Sequence, residues 1–241
     1  MTYIILSDIH GNLQAFESVI SSFPKTDNSR IVCAGDVVGY GADPNECIEL
    51  IMSLGAENVL GNHDAAVIDK TDISYFNENA RKAVLWTRER LDRAGRDYLN
   101  GLPLVRENPS FTVVHGTLHD PAEFIYMQSG TEAMRTFEIL NTKICFVGHS
   151  HVPGVFVYRD SGLYQSFERK ISLEDGARYI VNVGSVGQPR DNDNRACYCV
   201  YDSSSGEIEF HRIKYDVISA RERIISAGLP GALGDRLLFG R

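Results

Sequence analysis

The chain has 241 residues, 43% hydrophobic and 23% charged, with 24 Lys+Arg against 32 Asp+Glu and a formal net charge of −8. That length and balance fit one globular α/β or all-β domain over residues 1–241, and exclude a disordered, collagenous or coiled-coil chain. An acidic balance with no basic cluster argues against a sequence-independent nucleic-acid surface. The apolar runs at 144–147 and 180–183 fall far short of the roughly 20 residues of a membrane helix.

The N-terminus, MTYIILSDIHGN, lacks a basic leader region, and Ser7 and Asp8 break its apolar stretch, so no signal peptide is expected. Residues 3–6 read as a short apolar strand. Residues 12–23 place Leu13, Phe16, Ile20 and Phe23 at helical spacing. Residues 29–34 read as a buried strand. A helix follows with Asp43 as N-cap, Pro44 at the first position, Glu46 at capping-box spacing and Gly55 beyond its end near Leu54. Residues 57–60 read as a third strand, and this alternation predicts βαβ units with a parallel sheet. Helices are expected over 77–92, 94–99 and 131–140, and strands over 111–114 and 144–147.

Beyond residue 150 the pattern becomes strands and turns, over 152–158, 162–168, 171–173 and 178–183, the last two flanking Asp175-Gly176. Residues 196–201 and 207–213 flank a hairpin turn at 203–206. A late helix covers 217–227, and the Gly-rich tail from Pro230 either docks on the body or is loosely held. The expected whole is a helix-covered N-terminal sheet joined by a second, mostly antiparallel C-terminal sheet. The five cysteines, Cys33, Cys47, Cys145, Cys197 and Cys199, are odd in number and irregularly spaced, which fits a reducing cytoplasm rather than a disulfide framework.

The seven histidines carry the functional signal. Five of them, His10, His63, His115, His149 and His151, lie just after a predicted strand in a Gly- or Asp-bearing loop. The segments read Asp8-Ile9-His10-Gly11, Gly35-Asp36, Gly61-Asn62-His63-Asp64, His115-Gly116 and Gly148-His149-Ser150-His151. In an open α/β sheet such loops gather at the strands' carboxyl ends. A thiolate-free set of imidazoles and carboxylates suits zinc, manganese, iron or nickel and argues against a structural zinc site. Seven candidate ligands exceed what one metal takes, whereas two metals sharing a carboxylate use them all.

These five blocks, in this order, resemble the calcineurin-like metallophosphoesterases, and most closely the small prokaryotic phosphodiesterase branch that includes the YfcE-type proteins. The resemblance implies a four-layer α/β/β/α sandwich with two mixed sheets flanked by helices. It implies two divalent metal ions, one held by Asp8, His10 and His151 and the other by Asn62, His115 and His149, with Asp36 bridging and His63 beside the scissile phosphate. The implied activity is hydrolysis of small phosphate esters, phosphodiesters or nucleotides, by attack of a metal-bridged hydroxide. Asn12 and Arg190 are expected to bind phosphate oxygens. The alternative readings are a non-catalytic scaffold on the same fold and a nuclease.

Serine/threonine phosphatases of the superfamily carry Asp-Arg where this chain has Gly39-Tyr40, so the acidic partner that would orient His63 is missing. Arg190 could instead be a surface residue paired with Asp191 or Asp193. His119 is expected to be an exposed loop histidine, His211 structural, and Trp86 a core residue. Phe124, Tyr126 and Met127 are candidates for a substrate wall.

Overall fold

In the computed structural model, which describes residues 1–24 and 28–241, β1 (Thr2–Leu6) shows the rule by which the sheets are built. Its side chains alternate, Tyr3 and Ile5 joining one buried cluster and Ile4 and Leu6 another, as the period-2 geometry of a strand requires. α1 (Leu13–Ser21) follows and packs Phe16 and Val19 against Ile4 and Leu6. β2 (Ser29–Cys33) returns parallel to β1. α2 (Pro44–Ser53) leads into β3 (Glu57–Asn58), only two residues long where four were expected. Proline opens α2 as expected, but the capping box does not form. The Asp43 carboxylate accepts instead from Arg223, a charge-assisted bond stronger than a neutral cap.

Three helices come next: α3 (Asn62–Val67), α4 (Glu78–Arg90) and α5 (Arg93–Asn100). The chain then supplies β4 (Val105–Glu107), β5 (Thr112–Val114), α6 (Gly130–Ile139), β6 (Ile144–Val147), β7 (Gly154–Arg159) and β8 (Gly162–Ser166). β9 (Lys170–Ser172), β10 (Arg178–Asn182), β11 (Ala196–Asp202) and β12 (Glu207–Ile213) complete the strands, and α7 (Val217–Ser226) and α8 (Gly231–Asp235) close the chain. Among the described residues no helix is long and apolar enough to cross a membrane.

The strands form two six-stranded sheets, ordered β3-β2-β1-β11-β12-β9 and β4-β5-β6-β10-β7-β8. Both are mixed, and this corrects the expected division into an N-terminal and a C-terminal sheet. The hairpin β11–β12 docks antiparallel on β1, and β10 lies parallel to β6. The chain also changes sheets at Asp175-Gly176, since β9 pairs with β12 and β10 with β6 and β7. Inward residues of both sheets, among them Phe111, Phe146, Tyr179, Cys197 and Cys199, share one core. α1 and α2 cover one outer face and α6 the other, giving the four-layer α/β/β/α sandwich. All five cysteines are buried and free.

This topology places the loops after β1, β2 and β3 of one sheet opposite those after β5, β6 and β10 of the other. Main-chain bonds tie them together: Asp8 N donates to Gly35 O at 3.0 Å, Gly148 N to His115 O at 2.9 Å and Val186 N to Ser7 O at 3.0 Å. Asp64, fully buried on α3, is the main side-chain clamp. Its Oδ2 accepts from the Asp36 and Gly61 amides at 2.8 and 3.1 Å, and its Oδ1 from Val38 N at 3.1 Å.

Replacing Asp64 with Ala strands three buried N–H donors at once. The expected loss of stability is at least about 3 kcal/mol, at about 1–3 kcal/mol for each unsatisfied group. Urea denaturation of the variant checks it, and an unchanged midpoint would show that the clamp contributes nothing.

Candidate metal centre and active site

Asp8, His10, Asp36, His149 and His151 all adopt the left-handed backbone region, with φ between 52° and 66°, and so does Tyr40 at 48°. Non-glycine residues seldom sit there, and such strain persists only where the surroundings over-determine it. Six of the ten positive-φ non-glycine residues among those described belong to this one strand edge. The glycines beside them are needed for close approach. A Cβ at Gly61 would overlap the Asp36 amide and carboxylate, and one at Gly148 would overlap Ser7 and Asp8.

Three imidazoles are fixed by their Nδ1 atoms. His10 donates to Val38 O at 3.1 Å, His115 to Ala34 O at 2.7 Å and His151 to Gln188 O at 2.6 Å. Carbonyl oxygens only accept, so each Nδ1 carries the proton and each Nε2 is left to act as a ligand. These Nε2 atoms converge. Those of His10 and His151 lie 3.1 Å apart, and that of His115 lies 3.1 Å from Asn62 Oδ1 and 3.2 Å from His149 Nδ1. Asp36 joins the two groups, with Oδ2 at 3.7 Å from His10 Nε2 and 3.3 Å from His115 Nε2. Asp8 Oδ1 lies 3.2 Å from His151 Nε2.

The donors fit a metal. Asp8 Oδ1 and Asp36 Oδ2 are buried with no hydrogen-bond partner, a costly state for carboxylate oxygens unless a cation sits beside them. Donors about 2.0–2.1 Å from one ion stand roughly 3.0–3.4 Å apart at tetrahedral or octahedral angles, the spacing seen here. Three groups can hold an ion: Asp8, His10 and His151; His10, Asp36 and His63; and Asp36, His115 and His149. Electrostatics agree. Burial opposes a charge on His115, but Asp36 overrides it and raises the imidazole to about 9. Burial, with His115 beside it, pushes His149 down to about 3, and burial with Arg190 pushes His151 to about 4. Although burial opposes it, the neighbouring imidazoles hold the Asp8 and Asp36 carboxyls below the usual range.

His63 lies at the same edge, with its main-chain N donating to Asp36 Oδ1 at 2.8 Å. Its Nδ1 is buried without a partner, and burial pushes the imidazole well below its ordinary value. Aromatic rings hold it instead: Phe76 stacks at 5.1 Å and Tyr40 lies at 4.4 Å. Asp64 does not orient it, because that carboxylate is turned to the main chain. Sequence reading missed Tyr40 and Phe76 as neighbours of His63. The only available signal was Tyr40 at the position where relatives carry arginine.

Arg190 reaches this edge. Its Nη2 donates to Tyr40 OH at 3.3 Å and to Gln188 Oε1 at 3.0 Å. The surface pairing with Asp191 or Asp193 is not seen, since those carboxylates hold Arg212 and Arg195. Asn12 departs from its expected role. It caps α1 by accepting from Ala15 N at 3.1 Å and donates to Gly187 O at 2.8 Å and Tyr215 OH at 3.4 Å, so its amide is spent on the protein. Tyr126 stacks on His149 at 3.7 Å and, with Asn62, Lys70, Tyr75 and Phe76, lines a cavity of about 730 Å³ that opens on the centre. His119 is half-buried rather than exposed, with both ring nitrogens unpartnered. His211 stacks on Tyr198, and Trp86 donates to Ala227 O at 2.9 Å beside a buried cluster.

Comparison with known proteins agrees with this geometry. The calcineurin-like phosphoesterase superfamily domain matches residues 1–206. The uncharacterized protein MJ0912 of Methanocaldococcus jannaschii is 38% identical over 243 residues, covering 98% of this chain and 97% of that protein. A metallophosphoesterase from Sphaerobacter thermophilus superposes with a TM-score of 0.87 at 36% identity, covering 100% of this chain and 99% of that one. The hypothetical protein PH1004 from Pyrococcus horikoshii OT3 shares the fold, with a TM-score of 0.77 at 19% identity over 100% of this chain and 98% of that one. With the donor groups, the fold and these matches in agreement, this chain belongs to the calcineurin-like phosphoesterase superfamily.

Proposed function

We propose that this chain is a metal-dependent phosphoric ester hydrolase that binds two divalent ions and cleaves small phosphate esters, phosphodiesters or nucleotides. One observation carries the reading: two clusters of converging, buried ligand atoms share the single carboxylate of Asp36. Asp8, His10 and His151 would hold one ion, Asn62, His115 and His149 the other, and Asp36 both. When bound, such ions lower the pKa of a water and stabilise phosphoryl oxygens.

The chain's own residues complete the chemistry. Arg190 presents a guanidinium without a carboxylate partner among the described residues, suited to a phosphoryl oxygen. His63 supplies a proton to the leaving oxygen. Burial keeps its imidazole neutral in the free protein, and the negative charge of an arriving phosphate favours the protonated form. Phe76 and Tyr40 hold the ring in place, so its orientation needs no acidic partner. The cavity beside Tyr126 leaves room for the rest of a small substrate. Free, buried cysteines support a reducing, cytoplasmic setting, and the acidic charge favours a small ester over a nucleic acid.

Bis-p-nitrophenyl phosphate, p-nitrophenyl phosphate, cyclic nucleotides and dinucleoside polyphosphates, each with manganese, iron, nickel or zinc, form the direct test. Turnover of a diester is expected. A strong monoester preference would sink the diesterase reading, and no turnover at all would favour the scaffold. The His63→Asn variant is expected to lose about 10²–10⁴ in kcat with its metal content retained. A loss under about threefold would remove His63 from the chemistry. Adding metal to chelator-treated protein is expected to raise its melting temperature, with about 2.7 kcal/mol gained per site at a hundredfold excess over Kd. Asp36→Asn should remove most of that gain, and an equal shift in both proteins would argue against Asp36 as shared ligand.

A further inference from the structure

The C-terminal tail is docked, and it brings a second arginine to the active-site edge. Leu233 and Leu237 are buried in one cluster with Tyr40, Ala80 and Ile224, and Phe76 packs against it. Tyr40 and Phe76 are the rings that flank His63. The tail is also fastened to the loop that follows Arg190. Asn192 N donates to Gly240 O at 2.9 Å, Asn194 Nδ2 to Leu238 O at 3.1 Å and Arg241 Nε to Asn192 Oδ1 at 3.2 Å. Arg236, one residue before Leu237, is therefore held beside Tyr40 and Arg190.

Neither arginine has a carboxylate side-chain partner among the described residues. The acids that could neutralise them are engaged elsewhere: Asp191 with Arg212, Asp193 with Arg195, Asp235 with Arg221 and Asp43 with Arg223. Arg236 Nε donates to the Arg241 main-chain oxygen, and its two terminal nitrogens make no hydrogen bond among the described residues. Burial, with the like charge of Arg190 beside it, pushes the Arg236 guanidinium down from its ordinary value. Two neighbouring, half-buried cations in a chain of net charge −8 are costly unless an anion joins them. The scissile phosphoryl group already has the proposed metal centre to neutralise it, so the paired guanidiniums exceed what that group requires.

We propose that Arg236 and Arg190 form an anion subsite that holds a second phosphoryl group of the substrate, so that the chain acts on esters carrying a further phosphoryl group next to the scissile one. This rests on the phosphoesterase reading. Arg236 binds rather than reacts: its planar guanidinium takes two phosphoryl oxygens at once, which a lysine cannot reproduce.

Calorimetric titration of the metal-loaded protein with methylphosphonate and with methylenediphosphonate tests the subsite without turnover. In R236Q the affinity for methylenediphosphonate is expected to fall about tenfold or more, the effect of losing a charge-assisted contact. The affinity for methylphosphonate should fall much less. R236K, which keeps the charge and the aliphatic stem, should lie between, and it stands in for R236Q if melting shows that variant misfolded. Equal weakening of both ligands, or of neither, would overturn the subsite. If the wild type hydrolyses no ester yet keeps the Arg236-dependent preference for the diphosphonate, the hydrolase reading fails and the subsite stands.

Discussion

Ring nitrogens and bare carboxylate oxygens meet at about 3 Å in a space from which water is excluded, and the surrounding structure is organised to hold them there. Asp36 is the centre of this arrangement, within 4 Å of imidazoles from both sheets. Unsatisfied, such a set is expensive, because each buried polar atom loses its hydration and like dipoles face one another. A divalent cation removes both costs. The same groups that destabilise the free chain therefore stabilise a loaded one, which couples folding to metal binding.

Holding the set requires strain, and the fold localises it. Five proposed ligands and Tyr40 adopt positive φ in loops that end strands. The loops cannot relax, because they are bonded to one another across the sandwich and clamped by the buried Asp64 carboxylate. The sheets beneath supply the rigidity, with a shared core of inward side chains from both. Precision at the centre thus comes from two sheets facing each other, each contributing three loop ends.

Around this polar centre the chain places aromatic rings where relatives use charge. His63 is gripped by Tyr40 and Phe76, and Tyr126 lies flat on His149. Ring packing fixes orientation without drawing a proton, so it leaves the imidazoles free to serve as ligands or as a proton donor. Tyr40 adds a second function through its hydroxyl, which receives Arg190 and links the β2 loop to the β10 loop. The tail's leucines pack on the same ring, which ties the last residues of the chain to the site.

The sequence by itself determined the alternation of strands and helices in the first third, the hairpin β11–β12 and the identity of the converging donors. Periodicity and Gly-flanked Asp and His blocks are local signals, and local geometry follows from them. It also placed Asp43 at the head of α2, though not the partner of its carboxylate, because Arg223 lies 180 residues away. Which strands share a sheet was decided by tertiary structure alone, since β9 and β10 flank one turn yet enter different sheets. So were the roles of Asn12, which the neighbouring Gly187 and Tyr215 absorb, and of Arg190 and Arg236, which become a pair only because distant acids are paired elsewhere. Partnership across long sequence separations depends on packing, and no local pattern encodes it.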